Sequence, residues 1–100
     1  MKVIAVEVFG NGSGTRRGRV CQRRDGRFQF VTEMLTAATD ELLPYWLNEH
    51  PPSGVYERQE DATEALLAAL GSAESIGRAE PFEFDINVGP YPEPTLSHSQ

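Results

Sequence analysis

The chain has 100 residues, 39% of them hydrophobic and 24% charged, an ordinary composition for a folded domain that argues against wholesale disorder. That length makes one domain whose core is large enough to fold without staples but too small to enclose a deep substrate cleft as well. A single cysteine excludes an internal disulfide framework, and the net charge of −6 hides a divided chain: residues 1–32 hold seven basic and two acidic residues (+5), residues 33–100 two basic and thirteen acidic (−11).

Met-Lys is followed directly by strand-like residues, with no secretory apolar core and no long apolar span, so the expectation is a soluble, cytoplasmic protein. Residues 2–9, KVIAVEVF, are β-branched and apolar on both faces and read as a central strand, with Ile4, Val6 and Val8 on one side and Val3, Ala5 and Phe9 on the other. The run GNGSG at 10–14 reads as a flexible connector into a hairpin over 15–32, TRRGRVCQRRDGRFQFVT. Its turn is Asp25-Gly26, for which a two-residue type I′ loop is expected because Gly tolerates φ > 0 freely and Asp at modest cost. That loop would set Arg23 opposite Phe28 and Cys21 opposite Phe30, and so place Cys21, Phe28 and Phe30 on one face with Arg19 and Arg23. Those arginines would then have to snorkel or meet carboxylates.

Residues 33–48, EMLTAATDELLPYWLN, take helix-like spacing that Pro44 must break, since proline costs about 3 kcal/mol in a helix interior. Residues 50–54, HPPSG, form a loop. Residues 61–70, DATEALLAAL, read as a helix with Asp61 as N-cap, Glu64 in capping-box position and Gly71 as stop, burying Ala62, Ala65, Leu66, Ala69 and Leu70. Residues 72–80 read as a polar connector, and 82–88, FEFDINV, as an alternating strand. Prolines at 90, 92 and 94 mark 89–100 as a loosely held tail outside a single α+β domain over 1–88. The expected fold is an α+β two-layer sandwich in βββααβ order, about four antiparallel strands with helices on one face. A meander followed by a helix like that of 61–70 resembles, in strand order, small antitoxin domains of the HicB type. The insert at 34–53 and the lack of a C-terminal DNA-binding segment depart from that pattern, and no family is assigned.

Chemistry-bearing constellations are few. The glycines at 10, 12 and 14 with Arg16 and Arg17 are a candidate phosphate cradle, but a dinucleotide or P-loop site needs a helix after the glycines, and here a strand follows. Arg16, Arg17, Arg24 and Arg27 are candidate anion-binding residues that would track a nucleic-acid backbone, unless the acidic remainder folds onto the hairpin and neutralises it. Glu57, Glu60, Asp61 and Glu64, with Glu83 and Asp85, are a candidate acidic surface for a basic partner, and Tyr45 and Trp46 are candidate aromatic anchors. Cys21 lies mid-strand without a base, neither histidine has metal-ligand spacing, and no catalytic residue, metal site or cofactor is expected. The leading expectation is a small, acidic, non-catalytic interaction module that binds or occludes a protein partner. It would act as an inhibitor or regulator, in the manner of phage-type nuclease or CRISPR inhibitors or nucleic-acid mimics, an analogy of size and charge. The alternative is nucleic-acid or nucleotide binding through the hairpin at 16–27 and the glycine loop at 10–14.

Overall fold

The computed structural model describes residues 2–49 and 51–96. Among these residues six antiparallel strands form one sheet: β1 (Lys2–Asn11), β2 (Arg16–Arg23), β3 (Phe28–Leu35), β4 (Trp46–Asn48), β5 (Ala73–Arg78) and β6 (Glu83–Asp85), with one helix, α1 (Gln59–Leu70). The strand order is β4-β3-β2-β1-β5. β1 is long enough to hold two partners on its other edge, β6 at residues 2–4 and β5 at residues 7–11.

This corrects the expected βββααβ two-layer sandwich: the architecture is a mainly antiparallel sheet with one short helix on one face. Residues 33–48 are not helical. β3 continues to Leu35, a loop spans 36–45, and β4 returns alongside β3 with Met34 opposite Leu47 and Leu35 opposite Trp46. Pro44 denies this stretch a helix, and Thr36 closes the loop instead. Its N–H donates to the Tyr45 carbonyl at 2.8 Å, and its Oγ1 accepts from the Tyr45 N–H at 3.1 Å. Nor is 72–80 a mere connector, because β5 satisfies the edge of β1 that β6 leaves open; its polar, exposed side chains suit an outer strand.

The hairpin register also differs by one residue. Asp25 does not take positive φ, so type I′ is not formed. Gly26 alone does, at φ +85°, and a three-residue loop closes through hydrogen bonds from Arg23 N–H to Arg27 O and from Gly26 N–H to Arg23 O. Cys21 therefore faces Gln29, Val20 faces Phe30 and Arg17 faces Glu33. A one-residue slip exchanges faces. Phe28, Phe30 and Val20 now share one face, while Arg17, Arg19, Cys21, Val31 and Glu33 share the other. In β1 a bulge between Ala5 and Glu7 shifts the alternation, so Val8 and Gly10 fall on the same face as Val3 and Ala5.

Each face carries a core. On the first, Ala62, Leu66 and Leu70 of α1 pack on Phe9 and Val20, with Phe28, Phe30 and Tyr56 around them. The close approach requires Gly18, where a Cβ would collide with Leu66. The helix starts at Gln59, earlier than the expected Asp61 cap; Asp61 sits in its first turn, and Ala69 is exposed where burial was expected. On the second face no helix packs. Val3, Ala5, Cys21 and Val31 are covered by Phe84, Ile86 and Tyr91. Alternation over 82–88 holds only at Phe84 and Ile86, since Phe82 and Val88 are exposed.

Residues 89–96, expected as part of a loosely held tail, lie across this second face. The Tyr91 hydroxyl donates to the Ile86 carbonyl at 2.8 Å, Pro92 O accepts from Arg19, and Leu96 bridges to Ala79. Residues 97–100 and His50 fall outside the described residues.

Candidate functional site

The observed register decides what happens to the arginines. Arg17 and Arg19, two apart on β2, point to the second face, where Glu33 of β3 lies opposite Arg17. Glu33 Oε1 stands 3.0 Å from Arg17 Nε and 2.9 Å from Arg19 Nη2, with Arg19 and Glu33 each about 1% exposed. Burying such charges without partners would cost several kcal/mol each, and here one carboxylate is shared between the two guanidiniums. Arg17 also donates to Glu93 through Nη1 at 2.7 Å and Nη2 at 3.2 Å, and its guanidinium stacks 4.0 Å above the Trp46 ring. Arg19 Nη1 donates to Pro92 O at 2.6 Å.

The remaining hairpin arginines are paired as well. Arg16 meets Glu49 at 3.0 Å, Arg23 meets Asp25 at 3.1 Å, Arg24 meets Glu83 at 3.0 Å and Arg27 meets Glu57 at 3.2 Å. All six arginines between 16 and 27 thus hold a carboxylate of their own chain. Among the described residues, Asp40, Glu41, Glu64, Glu74 and Glu80 hold no arginine or lysine, and they lie at the surface.

Protonation follows these contacts. Burial opposes the Arg17 charge, but hydrogen bonds to Glu93 and Glu33 outweigh it and raise its pKa, whereas burial prevails at Arg19 and lowers it. The Arg17 hydrogen bond holds Glu93 below the usual carboxylate range. Burial pushes the Cys21 thiol up to about 12, leaving it protonated and inert as a nucleophile at neutral pH. Tyr91 is likewise pushed up to about 12 by burial. No group of three or more His, Cys, Asp or Glu among the described residues is placed to hold a metal ion.

Of the candidate residues named from sequence, Arg16, Arg17 and Trp46 come together with the glycine loop around one concave groove of about 830 Å³. The acidic candidates do not converge. Glu60, Asp61 and Glu64 lie on α1 and Glu57 just before it, with Glu60 and Asp61 turned to Arg58 and Glu57 to Arg27, while Glu83 and Asp85 belong to β6 beside β1, with Glu83 turned to Arg24. Tyr45 is half exposed in the loop before β4. With it stand Met34, Leu42, Leu43 and Leu47, and Leu43 is 84% exposed, an unusual number of large apolar side chains for one hairpin. Sequence reading missed Glu33 and Glu93. The signal for Glu33 was present, because a three-residue turn at 24–26 places it opposite Arg17. Glu93 lay within a proline-rich stretch that carried no pairing signal.

No protein-family model, curated protein or solved structure matched this chain in comparison.

Proposed function

We propose that this protein is a non-catalytic, acidic binding module that occludes a basic surface of a protein partner. The observation that carries this reading is the internal pairing of all six hairpin arginines. With its positive charge spent on its own carboxylates, the chain turns outward the acids that make up its net −6, a field that repels polyanions and steers a basic partner. The contact surface is the β3–β4 hairpin. Leu42, Leu43, Tyr45 and Leu47 supply apolar area, Asp40 and Glu41 supply charge, and residues 36–49 contain no lysine or arginine. A lone, buried thiol suits a reducing compartment such as the cytoplasm. No helix among the described residues is long and apolar enough to cross a membrane.

The competing reading, nucleic-acid or nucleotide binding through Arg16, Arg17, Arg24 and Arg27, is tested by titrating labelled single- and double-stranded oligonucleotides with the purified protein at low salt. The proposal expects no saturable binding. Saturable binding that falls with salt and vanishes in the combined Arg16→Ala, Arg17→Ala, Arg24→Ala variant would replace it with the alternative.

A further inference from the structure

The second face of the sheet is covered over only part of its length. Residues 86–94 lie over the half that holds Val3, Ala5 and Cys21, and beyond Glu93 a groove remains beside Gly10 and Arg17, with Val8 buried beneath it. Ile76 of β5 walls one side and Trp46 of β4 the other. Gly10 lets the Ile76 side chain lie close against the floor, since a Cβ there would lie 2.8 Å from Ile76 Cδ1. Charge decides what fits. Arg17 uses Nε, Nη1 and Nη2 on Glu33 and Glu93, so it has little left for an incoming anion. Counting the groove's Arg16, Arg17, Glu74 and Glu93 with the arginines' partners Glu33 and Glu49, and Arg19, which shares Glu33, three cations face four carboxylates, net −1, and the acids left exposed are Glu74 and Glu93.

We infer that this groove receives an extended basic segment of the protein partner, its apolar side chains against Ile76 and Trp46 and its cationic ones beside Glu74 and Glu93. The inference rests on the protein-binding reading above and adds to the β3–β4 hairpin a second contact, joined to it at Trp46.

Trp46 is the single tryptophan of the chain, so intrinsic fluorescence reads the groove directly. The probes are a short peptide alternating arginine and leucine, one alternating glutamate and leucine, and ATP. The basic peptide is expected to change Trp46 emission saturably, and the acidic peptide and ATP to leave it unchanged. Glu74→Lys, an exposed position without an ion pair, should weaken the basic peptide roughly tenfold, whereas Glu80→Lys, the same charge change outside the groove, should alter it less than about twofold. Equal weakening by both variants, no saturable change with the basic peptide, or saturation by the acidic peptide or ATP would overturn the groove assignment. A protein partner captured by wild type and by Glu74→Lys at equal affinity would also remove the groove while leaving the binding-module reading intact. That reading fails separately if no protein partner is captured at low salt.

Discussion

Glu33 is the residue on which the second face depends. It is buried between Arg17 and Arg19, and removing its charge leaves Arg19 without any carboxylate. Glu33→Gln should therefore lower the unfolding free energy by about 3–5 kcal/mol, a large share of the roughly 5–15 kcal/mol typical of a domain. Arg24→Ala, which breaks an exposed pair with Glu83, should cost less than about 1 kcal/mol. Urea denaturation of the two variants checks the contrast, and equal losses would show that the triad carries no special weight. Glu93 sets the pH response of the same face. Its folded pKa lies below that of the unfolded chain, so its contribution is present above the ordinary glutamate range and is lost as pH falls through the lowered value. Because the carboxylate is largely exposed, that contribution stays below about 1 kcal/mol. An acid titration followed by Trp46 emission should show a transition below the ordinary glutamate range that Glu93→Gln abolishes; an unchanged transition in that variant would assign it elsewhere.

Among the elements, α1 and β2 make the tightest fit. Gly18→Ala adds a Cβ that meets the fully buried Leu66, so overpacking of about 1–3 kcal/mol is expected, against the usual gain from replacing a strand glycine. Thermal unfolding of Gly18→Ala measures it, and a variant as stable as wild type would mean that the helix rides higher than described. How far these elements could be read from sequence follows from which signals are local. The apolar run of β1 and the alanine-rich helix ending at Gly71 are local patterns that form where the residues put them, and the chain also reverses at Asp25-Gly26, though through a three-residue loop and not the expected type I′ turn. Register is not local. Whether Asp25 takes positive φ moved every pair of the hairpin by one residue and with it the Arg17–Glu33 contact. Residues 33–48 carry helical spacing, yet Leu42 and Leu43 are exposed and Glu33 is drawn into the sheet by two arginines that no window of that length contains. β5 forms because β1 has an open edge, a fact of tertiary structure invisible in its polar sequence.

For the whole molecule, the division of charge along the chain becomes internal pairing, buried at Arg17 and Arg19 and exposed at Arg24 and Arg27. The basic first third forms the centre of the sheet, and acids from β3, β6 and the segments around residues 49, 57 and 93 fold onto it, so the guanidiniums serve as internal cross-links. The groove beside Trp46 was not legible from sequence for the same reason, since it is assembled from β1, β4, β5 and residues 93–96. The account's central claim is that the working surface is acidic and apolar and meets a protein. It is tested most directly by capture from the native host at low and high salt, scored for both protein and nucleic acid, with wild type beside Leu43→Asp, a change at an 84% exposed position that the fold should tolerate. The account predicts a protein partner held at low salt, released at high salt and lost from Leu43→Asp, with no nucleic acid recovered. Nucleic acid recovered without protein, and lost when Arg16, Arg17 and Arg24 are replaced by alanine, would contradict it.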